Sequence, residues 1–482
     1  MAKVLSSLDV AATGLRTRVL VIGAGPLGIT TSIGLSRRGI PHLLVDSGGS
    51  VPGDAQELCD GEVTGGRYPD LVETRVRALG GTTHVWGGHS HPLRPIDFQP
   101  RPWLGLKGWP ISHDEFRPWF GEVAPLFLIK DEWSADSVRN APARITDINV
   151  PFFSMEAYRL TPRSGANIPP PGDFWSVNGH AVKGDVITGL TARALDLDGD
   201  GRVTGVRFSL PDGRSLAISA DHVVLAMGGI ETARFLLINQ ARGPSGPLSA
   251  LPLIGKGFME HPHPHMADVF LFRPLPGPFR RKNEDDGSSS RLVFFATPEI
   301  QEQRKLTSFY FRLDPYRGSA GWFGDDLRKV QMVGLFEQLP DDRRHVTLSR
   351  TKTDALGDPL TVLNYFATHE DHEAVNDAVD LAARALAIAG YGRTRLRMRR
   401  TSAQEPVAEL PWIGVGHHHM GTVRMGRSPA DGVVDANLRV FGTPNLYLAT
   451  TGVFPTSSCV NPTMNGAAFA MRLAEHLARL ES

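Results

Sequence analysis

The chain has 482 residues, 41% hydrophobic and 21% charged, with Lys+Arg and Asp+Glu equal at 51 each. This is the composition of an ordinary soluble globular protein, long enough for two sub-structures around a large core. The balanced charge excludes an electrostatic case for nucleic acid or an acidic membrane surface; Cys59 and Cys459, without CxxC or zinc spacing, exclude a disulfide scaffold and a dithiol redox centre.

The opening MAKVLSSLDVAATGLRT lacks a signal-peptide pattern, because Asp9 interrupts any apolar core. The run at 19–35 is too short and too rich in Gly and Thr to span a membrane, so a soluble cytoplasmic chain is expected. Residues 19–22 (Val-Leu-Val-Ile) read as a strand buried on both faces, followed by a glycine-rich turn and a helix to about Arg38. Residues 42–45 are a second strand ending at Asp46, which completes a βαβ unit. The stretch 48–118, rich in Gly, Pro and Trp, is expected to wrap a ligand rather than form a core. Residues 202–229 read as two alternating strands joined by Pro-Asp-Gly, then the apolar strand Val223–Ala226. Residues 272–330 are expected to be loop-rich, a candidate mobile lid. Strand-like runs return at 331–366, and 370–389 is an amphipathic helix ended by Gly390. An α/β fold follows.

Gly23-Ala24-Gly25-Pro26-Leu27-Gly28 is GxGxxG between strand and helix. Its glycines permit a tight turn, admit a pyrophosphate to the backbone and let helix pack on strand, while the helix N-terminus offers unpaired N–H groups. Asp46, 18 residues after Gly28, is placed to accept hydrogen bonds from ribose hydroxyls. The motif marks a dinucleotide site without separating NAD from FAD.

Nearer the other end stand HHMGTVRMG, then GVVDANLRVFGTPNLYLATTGVFPT, then NPTMNGAAFAMRLAEHL. Together with LGGTTHVWGG at 79–88, HVVLAMGGIETARFLL at 222–237 and GKGFMEHP at 255–262, they resemble the glucose–methanol–choline (GMC) family of FAD-dependent oxidoreductases. The resemblance is in family order at both ends and loose over 263–330, the part that binds substrate in the family. It implies a Rossmann-like FAD-binding domain and an antiparallel-sheet substrate domain. FAD-binding segments would lie at 17–90, 181–262 and 411–482, a wrapping segment that opens the substrate domain at 91–180, and mainly substrate domain at 263–410.

The family removes hydride from an alcohol carbon to flavin N5 while a base takes the hydroxyl proton. By the resemblance the base is His418, three places before Gly421, and the second catalytic position is Asn461. Gly80, Gly81, Thr82, Trp86 and Gly87 match the stretch under the pyrophosphate and toward the flavin; Gly228, Pro462 and Thr463 fall in the other matching segments. Where some members tether FAD through a histidine, this chain has Val85, with His84 one residue off, so non-covalent FAD is expected. The substrate implied is a sugar, glycoside or related polyol, as in the pyranose-oxidising branch, with O2, a quinone or another electron acceptor. A lyase with structural FAD, a non-sugar alcohol, and an NAD-dependent dehydrogenase stay open.

The residues support these roles on their own chemistry. Imidazole titrates near neutral pH, which suits a base. Asn461-Pro462 is also a good helix start, with Asn as cap and Pro at the first helical position, and that helix terminus would stabilise negative charge on a reduced flavin. Capping and catalysis compete for one Asn461 oxygen. The histidine sets 261, 263, 265 and 417–419 lack the carboxylate or sulfur partners of a metal centre, so no metal is expected, and His417 and His419 become neighbours of the base. DLDGDGRVTGVR imitates a calcium loop but has Arg207 where a bidentate Glu belongs, so it is a turn. Of Trp86, Trp103 and Trp109, only Trp86 has motif support for a cofactor wall; Cys459 reads as a small apolar residue.

Overall fold

A computed structural model describes residues 3–9, 14–138, 149–162, 173–272, 279, 282–284, 287–315, 328–397, 400–401, 404–405 and 410–481. The first sheet grows from β2 (Leu15–Ile22), which alternates half-buried and exposed residues and then runs wholly buried through Val19–Ile22. Its parallel neighbours are β3 (His42–Asp46) on one side and β10 (Ser215–Leu225) on the other. The order continues outward from β3 through β7 (Asp185–Thr188) to β1 (Val4–Ser6). On the far side β9 (Val203–Ser209) and β8 (Thr191–Leu197) add an antiparallel hairpin, and β19 (Leu446–Leu448) also pairs with β10.

The two strands expected between 210 and 229 are therefore one. β10 pairs through Ser215–Ser219 with β9, antiparallel, and through its second half with β2 and β19, parallel. Alternation gives way to full burial where the strand is flanked on both sides, and no breaker residue interrupts it. The calcium-loop imitation is the β8–β9 turn, in which Asp198 Oδ1 accepts the Asp200 and Arg202 amides.

The second sheet is ordered β18 (Gly392–Leu396), β11 (His265–Leu271), β15 (Lys329–Phe336), β14 (Phe309–Pro315), β13 (Ser289–Ala296), β6 (Phe153–Leu160), β5 (His89–Ser90), with β12 (Lys282–Asn283) on β13. Its pairs are antiparallel. This corrects the expectation of loops over 272–330. SSRLVFFA in β13 is buried at every position, so it shows no alternation to find. The lid expectation falls on 273–278, 280–281, 285–286 and 316–327, outside the described residues. A small third sheet joins β16 (His345–Thr353) and β17 (Pro359–Tyr365) to β4 (Gly61–Gly65).

Helices close the layers. α1 (Pro26–Arg37) crosses from β2 to β3 and packs on α8 (Pro462–Glu481) so closely that a Cβ at Gly34 would sit 2.5 Å from the Ala474 methyl. α5 (Gly228–Arg242) leaves β10, while α2 (Pro95–Phe98), α3 (His113–Val123), α4 (Phe174–Asn178) and α6 (Pro298–Arg304) are shorter. The amphipathic helix is α7 (His369–Ile388), started by a Thr368–Asp371 capping box and followed by Gly390 at φ +69°. Val375, Ala378, Val379, Ala382 and Leu386 of α7 belong to the apolar core of the second sheet. Among the described residues no helix is long and apolar enough to cross a membrane.

Candidate active site

A long cavity opens where the carboxyl ends of β2, β3, β10 and β19 meet the amino ends of three helices. Gly25 and Pro26 at the start of α1, Gly228 at the start of α5, and Pro462 and Thr463 at the start of α8 all line it. Unpaired N–H groups and three positive dipole ends thus face one space, a strong anion site.

The glycine turn is shaped by backbone demands. Gly23 takes φ +106°, and a Cβ there would lie 2.5 Å from the Ala226 carbonyl oxygen. Gly28 does not line the cavity; a Cβ on it would come within 1.8 Å of the Gly23 carbonyl oxygen, so helix and turn meet only because it is glycine. Gly28→Ala is therefore expected to cost at least about 2 kcal/mol and to leave the purified protein depleted of cofactor. The ratio of flavin to protein absorbance and a thermal melt check this; a fully loaded variant melting with the wild type would refute it.

Asp46 lines the cavity, but both its oxygens already work within the chain. Oδ2 accepts the Ala24 amide at 2.6 Å and Oδ1 the Gly48 amide at 2.7 Å, while burial pushes its carboxyl up against the pull of those donors. Each oxygen retains a lone pair for a ribose hydroxyl. Gly81, Thr82, Trp86 and Gly87 also line the cavity. Gly80 does not; its amide ties back to the Ala24 carbonyl at 2.8 Å and anchors that stretch to the glycine turn. Val85 is on the wall, whereas His84 Nε2 lies 2.9 Å from the Leu79 carbonyl oxygen and turns away. Trp86 packs edge-on to Phe127; Trp109 is core against Phe98 and Phe469, and Trp103 bonds the Leu306 carbonyl. Cys459 is buried off the cavity.

Sequence reading missed Arg75 and Arg77 on the same wall. Both pair with Glu231, at 3.3 and 2.9 Å, and the Nε of each is buried without a hydrogen-bond partner. Burial raises the Glu231 carboxyl, yet Arg77, Arg234 and Arg75 bring it down to about 2. Two cations on a wall with one shared carboxylate, open space where Gly25 and Gly228 would carry a Cβ, and three helix starts fit an anionic dinucleotide. The one signal for these arginines is their place just ahead of Gly80-Gly81.

At the other end of the cavity the loop 416–419 is gathered around one carboxylate. Glu260, fully buried, accepts through Oε2 the amides of His418 (2.9 Å), His261 (3.1 Å) and Gly416 (3.2 Å), and through Oε1 the Tyr68 hydroxyl (2.5 Å). His417 between the two loop amides takes φ +57°, so successive N–H groups converge as an anion nest. Burial lifts Glu260 to about 7 despite these donors.

The side chain of His418 stands between two partners. Its Nδ1 is 2.8 Å from His261 Nδ1, and its Nε2 is 3.2 Å from Asn461 Nδ2. Asn461 Oδ1 takes the Tyr158 hydroxyl at 2.5 Å, so it neither caps α8 nor faces the base. The predicted pair is thus together, oriented by a tyrosine from the second sheet that the sequence did not suggest. Burial, then the imidazoles of His261, His263, His419 and His417, hold His418 well below the usual histidine value. Burial lowers His419 to about 3 and His263 to about 3 as well. Among the described residues no group of three or more His, Cys, Asp or Glu side chains is arranged to hold a metal.

The family described as GMC oxidoreductase matches residues 340–470. The fructose dehydrogenase large subunit of Gluconobacter japonicus is 22% identical over 95% of this chain and 97% of its own length. A 2-methyl-1,2-propanediol dehydrogenase of Mycolicibacterium austroafricanum is 25% identical over 96% and 95%. The solved structure of pyridoxine 4-oxidase from Mesorbium loti superposes with a TM-score of 0.62 at 20% identity, covering 95% of this chain and 99% of that one, a likeness of fold.

Proposed function

We propose that this chain, which belongs to the GMC oxidoreductase family and uses FAD, oxidises an alcohol carbon of a sugar, glycoside or related polyol, with His418 as the base. The observation that carries this reading is a neutral imidazole and an oriented amide 3.2 Å apart on the wall of the dinucleotide cavity. FAD would be held by Gly23, Gly25, Pro26, Asp46, Gly81, Thr82, Arg75, Arg77, Gly228 and the start of α8; once bound it supplies the acceptor for hydride. The chain's own residues manage the rest. The substrate hydroxyl proton passes to His418 Nε2 as the O–H bond breaks. In the free site Asn461 donates to His418 Nε2; when the substrate hydroxyl takes that lone pair, the amide hydrogens turn to the substrate oxygen, because Tyr158 occupies the Asn461 carbonyl. The polyol reading is supported by the likeness to a fructose dehydrogenase along the whole chain. Buried free thiols at Cys59 and Cys459 fit a reducing, cytoplasmic setting.

Anaerobic mixing with a panel of sugars, glycosides, polyols and simple alcohols tests the reading. Bleaching of the oxidised flavin by polyols is expected, whereas turnover with persistent colour would make the protein a lyase.

The pH profile follows from the depressed histidine. The base works only when unprotonated, so flavin reduction should stay level as pH falls through 6.5 and decline only well below it. A limb centred at or above 6.5 in stopped-flow reduction would contradict the buried, neutral base. Val85 on the wall and His84 turned to Leu79 support a non-covalently held FAD. Acid precipitation should release all of the flavin to the supernatant, and a yellow pellet would count against this.

A further inference from the structure

The contact between His418 and His261 has a direction that neither ring alone reveals. His261 comes from the FMEHP stretch, 157 residues away, and is completely buried. Its Nε2 lies 3.0 Å from the Ser457 carbonyl oxygen. A carbonyl only accepts, so Nε2 of His261 carries the hydrogen. Burial lowers His261 to about 4, so at neutral pH the ring holds one proton and its Nδ1 is a bare lone pair. The hydrogen in the 2.8 Å contact must then sit on Nδ1 of His418. That leaves Nε2 of His418 bare, facing the Asn461 amide and the cavity. The two ends of the chain of contacts agree: an acceptor at Ser457 and a donor at Asn461 demand the same pair of tautomers.

We propose that His261 is a positioning residue that holds His418 in the Nδ1–H tautomer, with the Ser457 carbonyl as the fixed end of the relay, so that the basic nitrogen always points at the substrate. This rests on the reading of His418 as the base. When the substrate O–H bond breaks, its proton joins Nε2 of His418, and the resulting imidazolium keeps its Nδ1–H donated to His261. No proton leaves the pair in that step. The alternative tautomer would put N–H where the base must be and leave His261 and His418 with facing lone pairs.

The test uses the FAD-loaded protein labelled with 15N at histidine, His418 being assigned by its loss in His418→Gln. In the wild type, Nε2 of His418 should resonate as an unprotonated nitrogen and Nδ1 as a protonated one. In His261→Leu, which removes the acceptor but keeps the bulk, His418 should lose its single fixed tautomer, both ring nitrogens moving toward averaged 15N values, and flavin reduction should slow on the order of 100-fold. His261→Asn, which returns an acceptor oxygen near the position of Nδ1, should restore the pattern and bring reduction to within about tenfold of wild type. A wild-type His418 with N–H on Nε2 overturns the proposal even if no His261 variant folds. So does a His261→Leu protein with unchanged tautomer and rate. If His418→Gln reduces its flavin normally, the assignment of the base fails instead, a separate outcome.

Discussion

His418→Ala is expected to fold, to bind FAD at full occupancy, and to lose substrate-driven flavin reduction by about 10²- to 10⁴-fold. The fold survives because the loop is held through the backbone: the His418 and Gly416 amides remain on Glu260 whatever the side chain. Removing the ring leaves His261 Nδ1 without its partner, a cost of about 1–3 kcal/mol confined to one acceptor. The residues that would hold the cofactor at the starts of α1, α5 and α8 are untouched by the substitution. What disappears is the one bare nitrogen positioned to take a proton. Stopped-flow mixing under nitrogen with a good substrate measures the effect directly, and bleaching at the wild-type rate would sink the assignment.

Glu260→Ala is expected to be the most destabilising single change around the site. It strands four donors, the buried Tyr68 hydroxyl and His261 amide and the half-buried amides of Gly416 and His418. At roughly 1–3 kcal/mol per orphaned group, partly relieved by water entering the gap, the loss is about 4 kcal/mol or more. The pH dependence has a definite sign. Burial raises the folded-state value from 4.5 to about 7, so the contribution of Glu260 is full below 4.5 and declines as pH rises through 7. The gap in stability between wild type and variant should accordingly be wider at the acid end of that window than above it. Urea titrations at the two ends check both claims, and a variant within about 1 kcal/mol of wild type throughout would refute them.

Much of the dinucleotide half was legible because its demands fall on consecutive residues. A buried strand, a turn that only glycine can make at Gly23 and Gly28, and an acid at the next strand end are written within residues 19–46. His418 and Asn461 were singled out by the family resemblance, and the fold brings them side by side. Their supports were not legible, because they arrive from remote parts of the chain. Tyr158 comes from β6, Glu260 and His261 from the segment before β11, and Ser457 from the loop before α8. No local periodicity announces such a meeting. The strands of the second sheet were missed for the opposite reason. Apart from Arg291, β13 is apolar or small on both faces, and it is entirely buried, so it lacks the alternation by which a strand is recognised, and the Gly, Pro and Asp clusters around it look like loop. Asp46 shows a subtler gap. Its position was foreseen, but its first duty is to bind the Ala24 and Gly48 amides together.

The double pairing of β10 also carries a consequence for how the chain acquires its shape. Its first half zips to β9 across a turn of a few residues, a fast local event, whereas its second half must find β2 and β19, each some two hundred residues distant along the chain. A nascent hairpin of β8, β9 and β10 can therefore form early and wait. Ile22, Ala226 and Ala449, which stand at the ends of β2, β10 and β19 and line the cavity, come together only after the slow searches are complete. The cofactor pocket is thus among the last features to mature, and free FAD will act late, trapping a nearly finished protein rather than guiding its collapse.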